Sequence, residues 1–271
     1  MSEFSQQLIA RSGYSSDAFA QVYDAYRPTP PPDLLAVLLH VARTSRPALV
    51  VDVGAGTGLS TRAWADLADE VVGVEPNPLM VGRARDATDA SNVRYVEGYA
   101  ADTGLAPETA DIVTCAQSFH WMAPEPVLAE AARVLRAGGV FAAYDYDVPP
   151  AVEPEVDDAF ATHFAARRAA RERLGLHAGA STWPKARHAD RIRESGRFRY
   201  ARELVCHGWS ELDAGALIGL AESIGGPRAI FGEEAPEVEE TFERLREAAT
   251  RVLGDATWRA VTCYRIRIGI K

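Results

Sequence analysis

Three glycines spaced one residue apart close an apolar run, Val50-Val51-Asp52-Val53-Gly54-Ala55-Gly56-Thr57-Gly58-Leu59-Ser60-Thr61. Residues without a Cβ let a chain turn sharply after a strand and let a ligand lie against its backbone. A strand, a glycine turn and an opening helix together make a nucleotide-binding element. A phosphate-cradling loop needs Lys followed by Ser or Thr after its last glycine, and here Leu59-Ser60 follows Gly58, which nearly excludes that chemistry. A dinucleotide site prefers G-x-G-x-x-G, whose third glycine packs the helix on the strand. Leu59 occupies that place.

The remaining reading is a nucleoside with no pyrophosphate, S-adenosylmethionine (SAM). Glu75 ends the run Val72-Gly73-Val74-Glu75-Pro76-Asn77. A carboxylate about 20 residues past the glycines is where a ribose diol is held, in SAM and dinucleotide sites alike. Asp52 either ties amides of the turn or meets the ligand's amino-acid tail. His120, in Gln117-Ser118-Phe119-His120-Trp121-Met122, is the candidate catalytic base because imidazole titrates near neutrality; the competing reading is a structural histidine flanked by aromatics. His163, His177, His188 and His207 lie in more variable sequence. Trp121, Trp183 and Trp209 line an aromatic pocket or simply pack, and Tyr14 and Tyr23 read as packing. Cys115, Cys206 and Cys263 are widely spaced, so neither a metal site nor a disulfide framework is expected.

These residues need a sheet to hold them. Phe19, Val22, Tyr23 and Tyr26 recur at helical spacing over 17–26, prolines break that helix, and a second follows Asp33. Strands are predicted at 48–53, 70–75, 92–97, 111–116 and 140–144. Helices are predicted at 59–68, 77–87 and 124–136, the last stopped by Gly138-Gly139. Beyond Pro149-Pro150 come helices at 153–174, 185–195, 210–224 and 238–253, with a break at Gly225-Gly226-Pro227. Strands are predicted at 198–206 and 262–270. The expected fold class is α/β: a Rossmann-like seven-stranded, mostly parallel sheet with helices on both faces, plus N-terminal helices and helical lid insertions. The expected division is an N-terminal helical cap (1–45), a nucleotide-binding core (46–147), and lid helices with the last two strands (148–271).

The segment Val51 to Gly58 resembles the first motif of class I SAM-dependent methyltransferases. The likeness extends through Glu75, Ala101-Asp102 and Gln117 to Met122. It continues in Ala132-Arg133-Val134-Leu135-Arg136-Ala137-Gly138-Gly139-Val140 and, upstream, in Tyr23-Asp24-Ala25-Tyr26-Arg27-Pro28. These segments are similar to the small-molecule, methyltransferase type 11 subgroup that includes trans-aconitate methyltransferases, closely over residues from about 15 to 145. The resemblance implies a SAM site built from Asp52, Gly54, Gly56 and Gly58, with Glu75, Pro76, Asn77 and Met80 beside it. It implies Ala101 and Asp102 near the adenine amine, Gln117 and Ser118 closing the pocket, Arg27 near the SAM carboxylate, and His120 facing the methyl group. The implied reaction moves methyl from SAM to a small-molecule acceptor, with oxygen favoured and secondary metabolism as its setting, leaving S-adenosylhomocysteine. The alternative keeps SAM binding without methyl transfer, as another transformation or a non-catalytic module. An NAD(P)-dependent oxidoreductase is less favoured.

A net charge of -9 and a pI of about 5.2 argue against non-specific nucleic-acid binding. Lys and Arg thicken between Arg167 and Arg202, as a solvated helical face or a cradle for an acidic substrate. The N-terminus carries no signal pattern, and no stretch reaches the roughly 20 apolar residues of a membrane span. A cytoplasmic location without membrane partners is expected, and the sequence specifies no oligomeric state.

Overall fold

In the computed structural model, residues 17–176, 183–224, 231–232 and 234–271 are described; Tyr14, His177 and the Gly225-Gly226-Pro227 break lie outside them. Apolar, β-branched runs form β1 (Leu49–Val53), β2 (Glu70–Glu75), β3 (Val93–Glu97), β4 (Ala110–Ala116) and β5 (Leu135–Tyr146). Adjacent members of this group run parallel. Val50, Val51, Val71, Val72 and Ile112 are wholly buried, because both faces are covered, and that is why these strands read as continuous rather than alternating. Two longer strands, β6 (Tyr200–Leu212) and β7 (Trp258–Ile270), complete the order β3-β2-β1-β4-β5-β7-β6. β7 is antiparallel to β5, with Val140 opposite Ile270 and Tyr146 opposite Tyr264. The order reverses between β1 and β4, so the crevice suited to a ligand lies beyond their carboxyl ends.

The helices are α1 (Asp17–Tyr26), α2 (Pro32–Ala42), α3 (Leu59–Arg62), α4 (Pro78–Asp86), α5 (Pro124–Val134), α6 (Pro154–Arg173), α7 (His188–Glu194), α8 (Ala214–Ser223) and α9 (Pro236–Leu253). Phe119–Trp121 and Lys185–Arg187 form single 3-10 turns. Val127, Leu128, Ala131 and Val134 make one face of α5 and pack with Val51, Val113 and Phe141. Truncating a wholly buried leucine such as Leu128 costs about 2–5 kcal/mol.

Several elements differ from their predicted bounds; β5 and β7 begin earlier, at Leu135 and Trp258. The helix after the glycine turn ends at Arg62 rather than Ala68. Ala63 and Trp64 bond back to Ser60 and Thr61 in tighter i→i+3 turns, and the Trp64 side chain is buried. Helix α5 ends at Val134, before Gly138-Gly139. Glu108 and Thr109, entering β4, donate to the carbonyls of Arg133 and Val134, drawing the chain straight into β5. The two glycines fall at an irregularity in the β4–β5 register, with Gly138 at φ +80°. Strand β6 runs past Cys206 to Leu212, so α8 starts at Ala214, its first turn capped by Asp213 on the Ala216 N–H at 2.7 Å.

The chain divides into two compact units. One comprises residues 29–146, 183–208 and 263–271 and holds most of the sheet. Helix α2 and the 183–208 segment belong to it. The other unit comprises the described parts of residues 1–28, 147–181 and 209–262. In it Phe160 of α6, Leu217 and Leu220 of α8 and Leu245 of α9 share a core, and Glu153 caps α6.

Candidate functional site

The glycine turn is fastened from beneath. Gly54 and Ala55 both donate to the Val74 carbonyl, at 2.8 and 3.1 Å, and the Ser118 hydroxyl donates to Val53 O at 2.7 Å. Gly54 has φ +73°, and a Cβ there would stand 2.6 Å from Ser118 Cβ and 2.7 Å from Met122 Cε. Gly56 has φ +56°, yet a Cβ there would meet nothing within 4 Å. One glycine is required by packing. The other faces the open side of the turn, where a ligand can approach the backbone. Gly58, at φ +85°, opens α3 and lies against the Tyr95 ring.

Glu75 ends β2 beside that open side. Its Oε2 accepts the Gly56 N–H at 3.0 Å and its Oε1 the Asn77 N–H at 2.9 Å. Each carboxylate oxygen carries two acceptor positions, so the pair keeps capacity for two further donors. Burial pushes the Glu75 carboxyl above its ordinary range; the two N–H donors oppose this, and the Asp52 charge adds to it. Pro76 is half-buried. Asn77 caps α4 by accepting the Leu79 N–H at 3.0 Å, and Met80 is buried on that helix. Two hydroxyls, as on a ribose, match what Glu75 has left, and Leu59 keeps the turn unlike a pyrophosphate site. The residues around the turn therefore fit SAM.

Asp52 does not share this setting. It is wholly buried, with Oδ2 accepting the Thr61 hydroxyl at 2.7 Å and Oδ1 the Thr114 hydroxyl at 2.8 Å. Burial raises its pKa and the hydroxyl donors partly offset this. Its carboxylate braces α3 and β4 under the turn. Ala101 and Asp102 are exposed just beyond β3, where Tyr99 and Asp102 form an isolated bridge. Neighbouring Thr103 is anchored to Glu130 through its N–H at 2.9 Å and its hydroxyl at 2.6 Å. Arg27 belongs to the helical unit, where Nε and Nη2 donate to the Ser223 carbonyl at 3.2 and 2.8 Å and the guanidinium lies 4.6 Å from the Tyr23 ring.

Past β4, Gln117 takes a left-handed backbone (φ +53°), and the 3-10 turn after it presents His120. Residues 51–143, which carry the turn, Glu75 and His120, match the family described as a methyltransferase domain. They form a class I SAM-dependent methyltransferase domain. The domain is similar to a protein of Saccharomyces cerevisiae described as a "probable S-adenosylmethionine-dependent methyltransferase" (29% identical over 136 residues, 48% of this chain and 46% of that one). It is also similar to an uncharacterized methyltransferase of Mycobacterium tuberculosis (36% over 117 residues, 43% and 46%). The chain spans about half the length of these curated relatives. Among solved structures, one from Anaeromyxobacter dehalogenans described as a type II methyltransferase matches 91% of this chain and 98% of its own, with a TM-score of 0.63 and 26% identity.

Sequence reasoning missed a charged cluster at the carboxyl end of β5 in the sheet unit. Asp145 is buried, and its Oδ2 accepts Arg267 Nη1 at 2.8 Å. Lys185 Nζ lies 2.7 Å from Asp145 Oδ1 and donates to Gln117 Oε1 at 2.8 Å. His120 Nδ1 is 3.7 Å from the same Asp145 oxygen. The available signal was an acid at the end of the otherwise apolar run Phe141-Ala142-Ala143-Tyr144-Asp145. Trp183 N–H also donates to His120 O at 2.7 Å, holding the 183–185 segment on the His120 turn.

Proposed function

We propose that the protein binds SAM at the glycine turn and transfers its methyl group to a small-molecule acceptor, with oxygen the favoured acceptor atom. The observation that carries this reading is the pairing of an open Gly56 with a Glu75 carboxylate whose two oxygens straddle the Gly56 and Asn77 amides. Bound SAM supplies an electrophilic methyl on a sulfonium whose positive charge is lost on transfer. The protein's part is to bind, orient and exclude water. Glu75 accepts the ribose hydroxyls, Gly56 lets the ligand reach the backbone, and Asp102, Gln117 and Ser118 border the pocket. His120 takes the proton from an oxygen acceptor. Among the described residues no helix is long and apolar enough to cross a membrane, in keeping with a diffusible acceptor. Arg197, Arg193, Arg187 and Arg173 are already in surface ion pairs, which favours a solvated face over a nucleic-acid surface.

Calorimetric titration with SAM and, separately, NADH tests the site. SAM is expected to bind, with Glu75→Gln weakening it about 100-fold through two charge-assisted hydrogen bonds of about 1.5 kcal/mol each. Binding of NADH alone refutes the assignment. Release of S-adenosylhomocysteine over a panel of hydroxyl, carboxyl, amine and thiol acceptors tests the reaction. Tight SAM binding with no turnover on any of them would favour the non-transferring alternative.

A further inference from the structure

His120 stands in a field of fixed charges that the glycine turn does not explain. The ring is about one-seventh exposed, at 15% of its side-chain surface, and Nδ1 is 3.7 Å from Asp145 Oδ1. Asp145 comes from the end of β5. From β7, Arg267, 4% exposed, holds its other oxygen at 2.8 Å, while Glu203 on β6 takes Arg267 Nε at 2.7 Å. Lys185, from the 3-10 turn ahead of α7, claims the same Asp145 oxygen that faces His120. On α7, His188 senses Asp145, Arg267 and Lys185 together. Trp121 flanks the imidazole at 5.0 Å between ring centroids. A buried carboxylate gripped by two cations is held in one place. One of its oxygens is directed to a particular nitrogen of His120.

We propose that Asp145 is a positioning residue for His120: it fixes the neutral ring as the Nδ1–H tautomer and makes it more basic, while Lys185 competes for the same oxygen and restrains that effect. The proposal rests on the base role given to His120 above. With the proton on Nδ1, Nε2 is the nitrogen left to accept a proton, as in other carboxylate-oriented histidines. At 3.7 Å the Nδ1–Oδ1 approach is an ion-pair separation rather than a hydrogen bond, so Asp145 acts on the ring through its charge, which Lys185 on the same oxygen partly cancels. The acid, the base and the competing cation come from three elements spread over residues 120–185, which places this device outside the glycine motif.

The test is nitrogen-detected NMR of the imidazoles in the full chain, whose six histidines are sorted by the resonance lost in His120→Gln. In the wild type at high pH, His120 is expected as the Nδ1–H tautomer. In Asp145→Asn its pKa is expected to fall by about one unit or more and its tautomer to shift toward Nε2–H. In Lys185→Met its pKa is expected to rise, and adding Asp145→Asn to that variant should remove most of the rise. An Nε2–H tautomer in the wild type overturns the proposal, and so does an unchanged His120 titration in a folded Asp145→Asn variant. The wild-type tautomer answers the question even if Asp145→Asn does not fold. SAM titration of the same samples separates the two readings. SAM binding beside an unmoved His120 leaves the site assignment standing without the positioning device. The predicted tautomer without SAM binding does the reverse.

Discussion

Asp52 offers the sharpest contrast between bracing the glycine turn and contacting its ligand. Replacing it with alanine leaves the Thr61 and Thr114 hydroxyls, bonded to it at 2.7 and 2.8 Å, buried without an acceptor. Each orphaned hydroxyl costs about 1–3 kcal/mol; relief of the buried charge offsets part of this, for a net loss of about 3 kcal/mol. At about 2–4 °C per kcal/mol for a protein of this size, the melting temperature should fall by about 6–12 °C. Asparagine preserves shape, and a hydroxyl can turn to accept from the new amide, so Asp52→Asn should cost about 1 kcal/mol or less. The sign of the pH effect is specific. Burial raises the folded-state pKa of Asp52, so the folded form binds a proton that the unfolded chain has released. The stability of the wild type relative to Asp52→Asn therefore rises as pH falls from neutral through that raised pKa, and levels off below the unfolded value of about 3.9. Thermal melts of both proteins from pH 7 to 4, with SAM calorimetry at pH 7, read all of this. An Asp52→Asn variant as stable as the wild type but unable to bind SAM would refute the brace and make Asp52 a ligand contact.

Gly54→Ala should be poorly stable, because a Cβ at φ +73° collides with Ser118 and Met122, whereas Gly56→Ala should fold with a loss of about 1–2 kcal/mol from its left-handed backbone. Gly56→Ala should nonetheless lose SAM affinity, and thermal melts paired with calorimetry separate the two; normal SAM binding by Gly56→Ala would move the ligand away from that face. Arg133 and Thr103 hold the Glu130 carboxyl down to about 2 from an ordinary 4.5. Discounted for the half-exposed Arg133, Glu130→Gln should cost up to about 2 kcal/mol above pH 4.5, and that difference should disappear as pH falls toward 2, as acid titration of the two variants will show. Burial pushes His188 down to about 4 from 6.5, so its neutral ring favours the fold above pH 6.5 and opposes it as pH falls toward 4. His188→Leu should therefore gain on the wild type by up to about 2 kcal/mol between pH 7 and pH 5; a parallel pair of stability curves would contradict this.

What could be read in the chain was what its own neighbours decide. Glycines at alternate positions demand φ values that few other residues adopt, and Gly54, Gly56 and Gly58 all take them; that demand is local and visible. The end of α5 was not visible. Gly138-Gly139 is a sound stop signal, but the entry to β4, 25 residues earlier in the chain, captures the last helical carbonyls, and no local pattern announces it. The Asp145 cluster was hidden for the same reason, since its partner Arg267 arrives from 122 residues away. The two carboxylates of the turn show where the boundary falls. Asp52 and Glu75 are both acids near the end of an apolar strand. Asp52 is paired on both sides, with Gly73 of β2 and Thr114 of β4, so its side chain is still within the sheet layers and must find hydroxyls there. The last pair joining β1 to β2 is Val53 with Val74, which leaves Glu75 one step beyond it, paired only with Glu97 of β3. That single step lets its carboxylate swing back over the turn and collect the Gly56 amide. Residue type and spacing nominated both acids. Strand register, which depends on β4 and β3, divides them into one enclosed beneath the turn and one beside its open face.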